Sequence, residues 1–196
     1  MLVEGSYNNV KFYYDNEDYE YIGGVLEYKG KGRTIVCPKN YYETVRIKEQ
    51  NMTGRTFSNF SYSPFFENCT GELDLTSLVV PTYQITASVF SKIILPKKKE
   101  VSGTFRDFGD IEVDTSVKAI TYLESFKYEH KVLDLCSVEY IKGLYIVSNK
   151  LQVLDLSSLK MCHKLTLDAP NLKYIKLCNP VEVDDCTIKS DYIKKL

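Results

Sequence analysis

The chain has 196 residues, 44% of them apolar and 26% charged, with 25 basic and 26 acidic side chains. That length suffices for one ordinary hydrophobic core, and a net charge of −1 offers no electrostatic footprint for nucleic acid or an anionic membrane. No apolar run approaches the roughly 20 residues of a membrane helix, so no membrane insertion is expected.

The first twenty residues, MLVEGSYNNVKFYYDNEDYE, lack the basic and apolar regions of a secretory leader. The chain therefore reads either as intracellular or as one from which a leader has been removed. Next comes YEYIGGVLEYKGKGRTIVCP (19–38), with strand-like runs on either side of two turn signals, Gly23-Gly24 and KGKG. Both are read as hairpins closing one end of a stack, so residues 1–48 form a Tyr-rich hairpin cap and first coil. Three N-x-S/T sequons follow, at Asn51, Asn59 and Asn68. They bear on the protein only along a secretory route, and without a leader they read as chance matches.

From residue 72 the chain repeats itself. ELDLTSL, KIILPKK, DIEVDTS, VLDLCSV, VLDLSSL and YIKLCNP begin at 72, 92, 110, 132, 153 and 174, steps of 20, 18, 22, 21 and 21. Each unit alternates with period two, placing Leu73 and Leu75, Ile93 and Leu95, through to Ile175 and Leu177 on one face. A column three residues upstream comprises Thr70, Phe90, Phe108, His130, Leu151 and Leu172, and one downstream comprises Leu78, Lys98, Ser116, Val138, Leu159 and Pro180. One such unit cannot bury its own apolar face, so the even step is a packing requirement of stacked coils. A second apolar pair, Leu144/Ile146, Leu165/Leu167 and Cys186/Ile188, predicts a short strand on the opposite wall. Around TYQITASVF and VSGTFRDFG that signal degenerates and irregular backbone is expected, while no stretch sustains the stripe of a long helix. At the far end, the lysines of SDYIKKL are placed to blunt an edge strand.

The fold class is therefore mainly β: a right-handed solenoid of the leucine-rich-repeat type, about six coils with one parallel strand each, residues 49–196 continuing the same single domain. The segment YIGGVLEYKGKGRTIVCPKNYYETVRI (21–47) resembles the opening segment of BspA-like leucine-rich-repeat proteins at Gly24-Val25-Leu26, Tyr28, Gly30, Ile35, Pro38, Val45 and Ile47. Leu95-Pro96 repeats the strand-then-proline element, and TFSNFSYSPFFENC is similar to the family's Phe-plus-Cys segment, stretched. The resemblance implies a curved solenoid binding a protein or surface ligand, often at a cell surface, and carries over no enzymatic activity.

The residue between each pair of core apolars points outward, giving the column Asp74, Ile94, Glu112, Asp134, Asp155 and Lys176. It reads either as a site for a basic partner or as a solvated face that blocks edge aggregation. Beside it run Glu72, Lys92, Asp110, Val132, Val153 and Tyr174, the last three an apolar strip that is either an interface or the underside of a loop or cap. The candidate binding residues are Glu112, Asp134, Asp155, Lys176 and Tyr174.

His130 falls in a core column. His163 and Cys162 point oppositely as strand neighbours, and no ligand set for a metal or cofactor is evident. By the 21-residue step Cys162 aligns with Ile141 and Val183, and Cys186 with Leu165 and Leu144, so both read as core hydrophobes. Cys136 and Cys178 lie two coils apart, ~9.6 Å by strand spacing, too far to pair. No phosphate-binding glycine loop, nucleophile elbow or zinc-protease helix motif occurs. The expected function is a non-catalytic interaction module. The alternatives are a self-associating structural segment and, remotely, a carbohydrate-active enzyme using the acid column.

Overall fold

A computed structural model describes residues 1–87, 90–178 and 180–193. Every regular element among them is a strand. The chain opens with two antiparallel hairpins. Strands β1 (Leu2–Tyr7) and β2 (Val10–Asp15) meet at Asn8-Asn9, with φ of 47° and 64°. Strands β3 (Tyr19–Ile22) and β4 (Val25–Tyr28) meet at Gly23-Gly24, with φ of 59° and 86°. Two left-handed residues in a two-residue loop match the twist of the flanking strands, which is why Asn and Gly stand there.

After β4 the chain winds. Strands β5 (Thr34–Val36), β6 (Val45–Lys48), β7 (Thr56–Ser58), β8 (Phe65–Glu67) and β9 (Glu72–Asp74) come first. Then follow β10 (Tyr83–Thr86), β11 (Lys92–Ile94), β12 (Glu100–Arg106), β13 (Ile111–Glu112), β14 (Ala119–Ser125) and β15 (Val132–Asp134). The last are β16 (Tyr140–Val147), β17 (Val153–Asp155), β18 (Met161–Asp168), β19 (Tyr174–Lys176) and β20 (Glu182–Lys189). From β4 onward, even-numbered strands form a long wall, in sheets β3-β4-β6-β8 (β3 joining through its hairpin) and β10-β12-β14-β16-β18-β20; odd-numbered strands from β5 onward form a short wall, in sheets β5-β7, β9-β11-β13 and β15-β17-β19. Apart from the two hairpins, all pairing is parallel. The result is a β-solenoid of about eight turns.

The six recurring units are the short-wall strands β9 through β19. Leu73, Leu75, Ile93, Leu95, Leu133, Leu135, Leu154 and Leu156 are all buried, as the alternation requires. The opposite-wall pairs lie on β16, β18 and β20, but these strands run eight residues each, longer than expected. One apolar cluster runs from Phe12 to Leu172 without a break.

Four expectations are corrected. The solenoid has about eight turns, not six, because residues 34–70 also wind; the corner at Thr53–Arg55 displaces β7 and hides the period. KGKG is a corner between walls, not a hairpin: β5 pairs with β7. The stretches 82–90 and 101–109 carry regular strands, β10 and β12, whose one irregularity is a register shift between Val101 and Thr104 at Gly103, φ 143°. His130 is exposed; the column position goes to Tyr128, whose ring packs 6.2 Å from Phe108 and whose hydroxyl donates to Val132 O at 2.6 Å. An aromatic two residues upstream fills the site better than an imidazole, which instead faces Asp110 Oδ2 at 3.7 Å. The terminal lysines of SDYIKKL lie outside the described residues.

The sequon asparagines are all exposed, and Asn59 and Asn68 adopt φ of 61° and 52°. Asn enters the left-handed region more readily than other side chains, which gives a backbone reason for it at both turns.

Candidate functional site

The short wall presents the outward columns as the alternation placed them. Asp74, Ile94 and Glu112 register across β9, β11 and β13, and Asp134, Asp155 and Lys176 across β15, β17 and β19. The two triplets belong to separate sheets. The strip Val132–Val153–Tyr174 lies beside the second triplet, and Val132 (50% exposed) and Tyr174 (65%) are open to solvent rather than covered by a loop.

The aspartates are already employed. Oδ1 of Asp74 accepts from Thr76 N at 2.9 Å and Thr76 Oγ1 at 2.6 Å; Asp134 accepts from Cys136 N at 3.0 Å; Asp155 accepts from Ser157 N at 3.1 Å and from Ser157 Oγ. Asp114 does the same with Ser116 N at 2.9 Å. Each closes a turn two residues on, which lets the chain leave the short strand and round the corner. The signal was present in the sequence as Asp-Leu-Thr/Cys/Ser. Alternation said which way these side chains point, not what they hold.

Two acids of these columns are paired with lysines. Lys176 Nζ meets Asp155 Oδ2 at 2.9 Å, and Lys92 Nζ meets Glu112 Oε2. Asp155 is pushed up by desolvation, but the bonds from Ser157 and Lys176 outweigh that and leave its carboxyl below the usual range. The same pair raises Lys176, and the bond to Glu112 raises Lys92. Asp134 raises the Cys136 thiol by hydrogen bonding to its protonated form.

The long wall carries a feature the sequence reading missed. Tyr122, Gly143, Lys164 and Asp185 register across β14, β16, β18 and β20. The Tyr122 ring closes on Gly143, where a Cβ would stand 2.6 Å from Tyr122 Cδ1 and 2.8 Å from Cε1. Lys142 Nζ sits 5.5 Å from the same ring's centroid. Two grooves flank this saddle. One, of about 250 Å³, is lined by Glu124, Phe126, Tyr145 and Lys164; Phe126 is 58% exposed and its ring lies 5.1 Å from that of Tyr145. The other, of about 270 Å³, is lined by Ile120, Tyr140, Lys142, Met161 and His163. The aromatics are far apart in sequence and meet only through register, so no local pattern announced them.

His163 is exposed and contacts Asp184 through Nδ1 at 2.6 Å, while Cys162 is buried on the other face, as the strand alternation predicts. Among the described residues no cluster of three or more His, Cys, Asp or Glu is arranged to hold a metal. All six cysteines are free thiols. Cys162 sits in the expected column of Ile141 and Val183 and is buried. Cys186 aligns with Leu165 as expected but is exposed, because no described coil covers β20.

Fold and surface together define a β-solenoid with two outward strand faces. No family model matches the chain, and neither a curated protein nor a solved structure matches it.

Proposed function

We propose that the chain is a non-catalytic, protein-binding solenoid that engages its partner through the outer face of the long wall, between β14 and β18. The observation that carries this reading is the saddle of Tyr122 on Gly143, flanked by grooves bearing Phe126, Tyr145 and Tyr140. Exposed aromatics set among polar groups are the composition of interface hot spots. Lys142, without a carboxylate partner among the described residues, suits a partner presenting an acidic side chain beside apolar ones. Kinship with BspA-like leucine-rich-repeat proteins belongs to this reading, supported by Leu151-x-x-Leu154-x-Leu156-x-x-Leu159. So does a capping role for the Tyr-rich hairpins, supported by burial of Phe12, Tyr14 and Tyr19.

A second reading uses the short wall, favoured by the exposure of Val132 and Tyr174 beside Asp134, Asp155, Lys176 and, one sheet away, Glu112. The test separates the two. A protein captured from native lysate is purified and its affinity measured for wild type, for Phe126→Ser with Tyr145→Ser, and for Val132→Ser with Tyr174→Ser. Loss of about 100-fold or more in the first pair, at roughly 2 kcal/mol per buried aromatic, supports the long wall. Loss confined to the second pair moves the site to the short wall. Retention by both removes both faces.

A further inference from the structure

Where the chain turns from the short wall into the long one, successive coils stack Lys99, Lys118, Glu139 and Lys160. Lys118 N donates to Lys99 O, Glu139 N to Lys118 O and Lys160 N to Glu139 O, each at 2.8 Å. Three lysines thus stand around one carboxylate. Lys160 Nζ holds it at 2.6 Å. That bond, with the nearby charges of Lys118 and Lys99 added, keeps Glu139 below the usual carboxylate range. Lys118 Nζ donates instead to Ser137 O at 3.3 Å. Neither Lys118 nor Lys99 has a carboxylate within 4.0 Å among the described residues.

The groove of about 270 Å³ begins one residue further along each of these coils. Glu100, Ala119, Tyr140 and Met161 follow the corner column, register across β12, β14, β16 and β18, and line it. Tyr140 is 46% exposed, and Lys160 Nζ lies 5.9 Å from the centre of its ring. Lys142 and His163 form the opposite rim. His163 is engaged by Asp184, whereas Lys142 has no carboxylate within 4.0 Å among the described residues. A floor of aromatic and aliphatic side chains therefore runs between cations on both sides. The acid in its lining, Glu100, sits at the β12 end, so the positive excess lies over β14, β16 and β18.

This composition selects a ligand. Lysine is a compact point charge that takes a carboxylate without the planar fit arginine demands. Tyr140 and Met161 call for an apolar side chain between the acids. A long polyanion gains its affinity by neutralising many charges at once, and three unpaired lysines do not supply that. From Lys99 to Lys160 is three coil steps, about 14 Å, the reach of about four extended residues. Charge and length together match a short peptide with two or three acids around an apolar residue.

We infer that the segment bound on the long wall is an acidic peptide, its carboxylates on Lys99, Lys118 and Lys142 and an apolar side chain on Tyr140 and Met161. Such a ligand supplies the partner chemistry for the face proposed above and rests on that reading.

A phage library of random dodecapeptides is panned on the 196-residue chain in about 50 mM salt, where screening is weak. The most enriched peptide is synthesised and titrated by fluorescence anisotropy. Enriched sequences are expected to carry at least two Asp or Glu beside a Phe, Tyr, Leu or Met. Lys99→Glu with Lys142→Glu, both exposed side chains, should weaken binding at least tenfold, and Tyr140→Ser about tenfold. Lys39→Glu with Lys131→Glu, exposed elsewhere and equal in charge change, should leave it within about twofold. Enrichment of sequences without acids, no enrichment, or equal losses in the two lysine pairs each overturns the inference. So does heparin bound as tightly as the peptide and indifferent to Tyr140→Ser, which makes the column a polyanion site. The Phe126→Ser, Tyr145→Ser pair separates this ligand from the face itself. A peptide lost there but kept by Lys99→Glu with Lys142→Glu leaves the long wall standing and overturns the acidic ligand. One lost with the lysines but kept by the aromatic pair upholds the ligand and overturns the saddle.

Discussion

Replacing Arg55 with Met tests whether a buried cation, with no carboxylate partner among the described residues, holds the first turns together. Arg55 is 7% exposed, and its guanidinium donates to Gly32 O at 2.7 and 3.0 Å, Gly30 O at 3.1 Å, Tyr28 Oη at 2.9 Å and Gln50 Oε1 at 2.6 Å. The group also sits 5.2 Å over the Tyr28 ring. These bonds clamp the KGKG corner, where the chain crosses between walls with no strand of its own. The bonds to Tyr28 and Gly30 are buried, and a charge-assisted bond is worth about 1.5–3 kcal/mol net. The other acceptors are partly exposed and rehydrate. Allowing about 1 kcal/mol for the apolar gain of Met, the expected loss is about 3 kcal/mol. Urea unfolding followed by Tyr fluorescence gives the global number, and hydrogen exchange at β5 and β7 should show the loss concentrated there, since coils lean only on their neighbours. A Met variant as stable as wild type would mean that desolvating the guanidinium costs as much as its bonds return, and the clamp argument would fail.

Gly103→Ala places a Cβ 2.6 Å from Tyr83 N and closer still to Tyr83 O, at φ 143°, so backbone must shift; a loss of about 3 kcal/mol is expected in thermal denaturation, where a surface Gly→Ala would cost little. Asp155→Ala should cost about 2 kcal/mol at pH 7, and Asp155→Asn, which keeps an acceptor for Ser157, about a quarter of that. Because the folded carboxyl lies below its ordinary value, its contribution is present at neutral pH and fades as pH falls through the folded value, so the wild-type and Ala curves should converge in acid. In dilute protein at pH 8, three thiols (Cys136, Cys178 and Cys186) should react with a disulfide reagent before unfolding. Cys37 and Cys162, pushed by burial up to about 12 and about 11, should wait for it with Cys69. Modification of Cys162 at the rate of Cys178 would contradict the packing.

The 21-residue step was legible because Leu151, Leu154, Leu156 and Leu159 do one job, filling a core, and their spacing records it directly. The early turns were not, since Met52, Phe57 and Phe66 fill the same core at uneven intervals around an extra corner. The hairpin at Asn8-Asn9 lies inside the expected cap, with its turn signal between two alternating runs, a turn that the hairpin assignments at Gly23-Gly24 and KGKG leave out. His130 shows the limit of column arithmetic: a repeat frame names a position, and the better-fitting ring two residues away takes it. Face assignments survived wherever alternation alone decides them. What the faces hold, turn-closing aspartates on one wall and a tyrosine saddle on the other, depends on hydrogen bonds and lateral neighbours that a linear pattern does not contain.

The alternation of two walls has a mechanical side. Hydrogen bonds between strands run along the stacking axis, with β4 in the first turn and β20 in the last one described. Force applied between them therefore loads the interstrand bonds in series, one coil against the next, rather than shearing a whole sheet at once. Each coil of 21 residues that peels away frees a contour of about 70 Å. Under tension the molecule lengthens in near-equal increments and leaves the remaining coils wound, a strap that pays out instead of snapping.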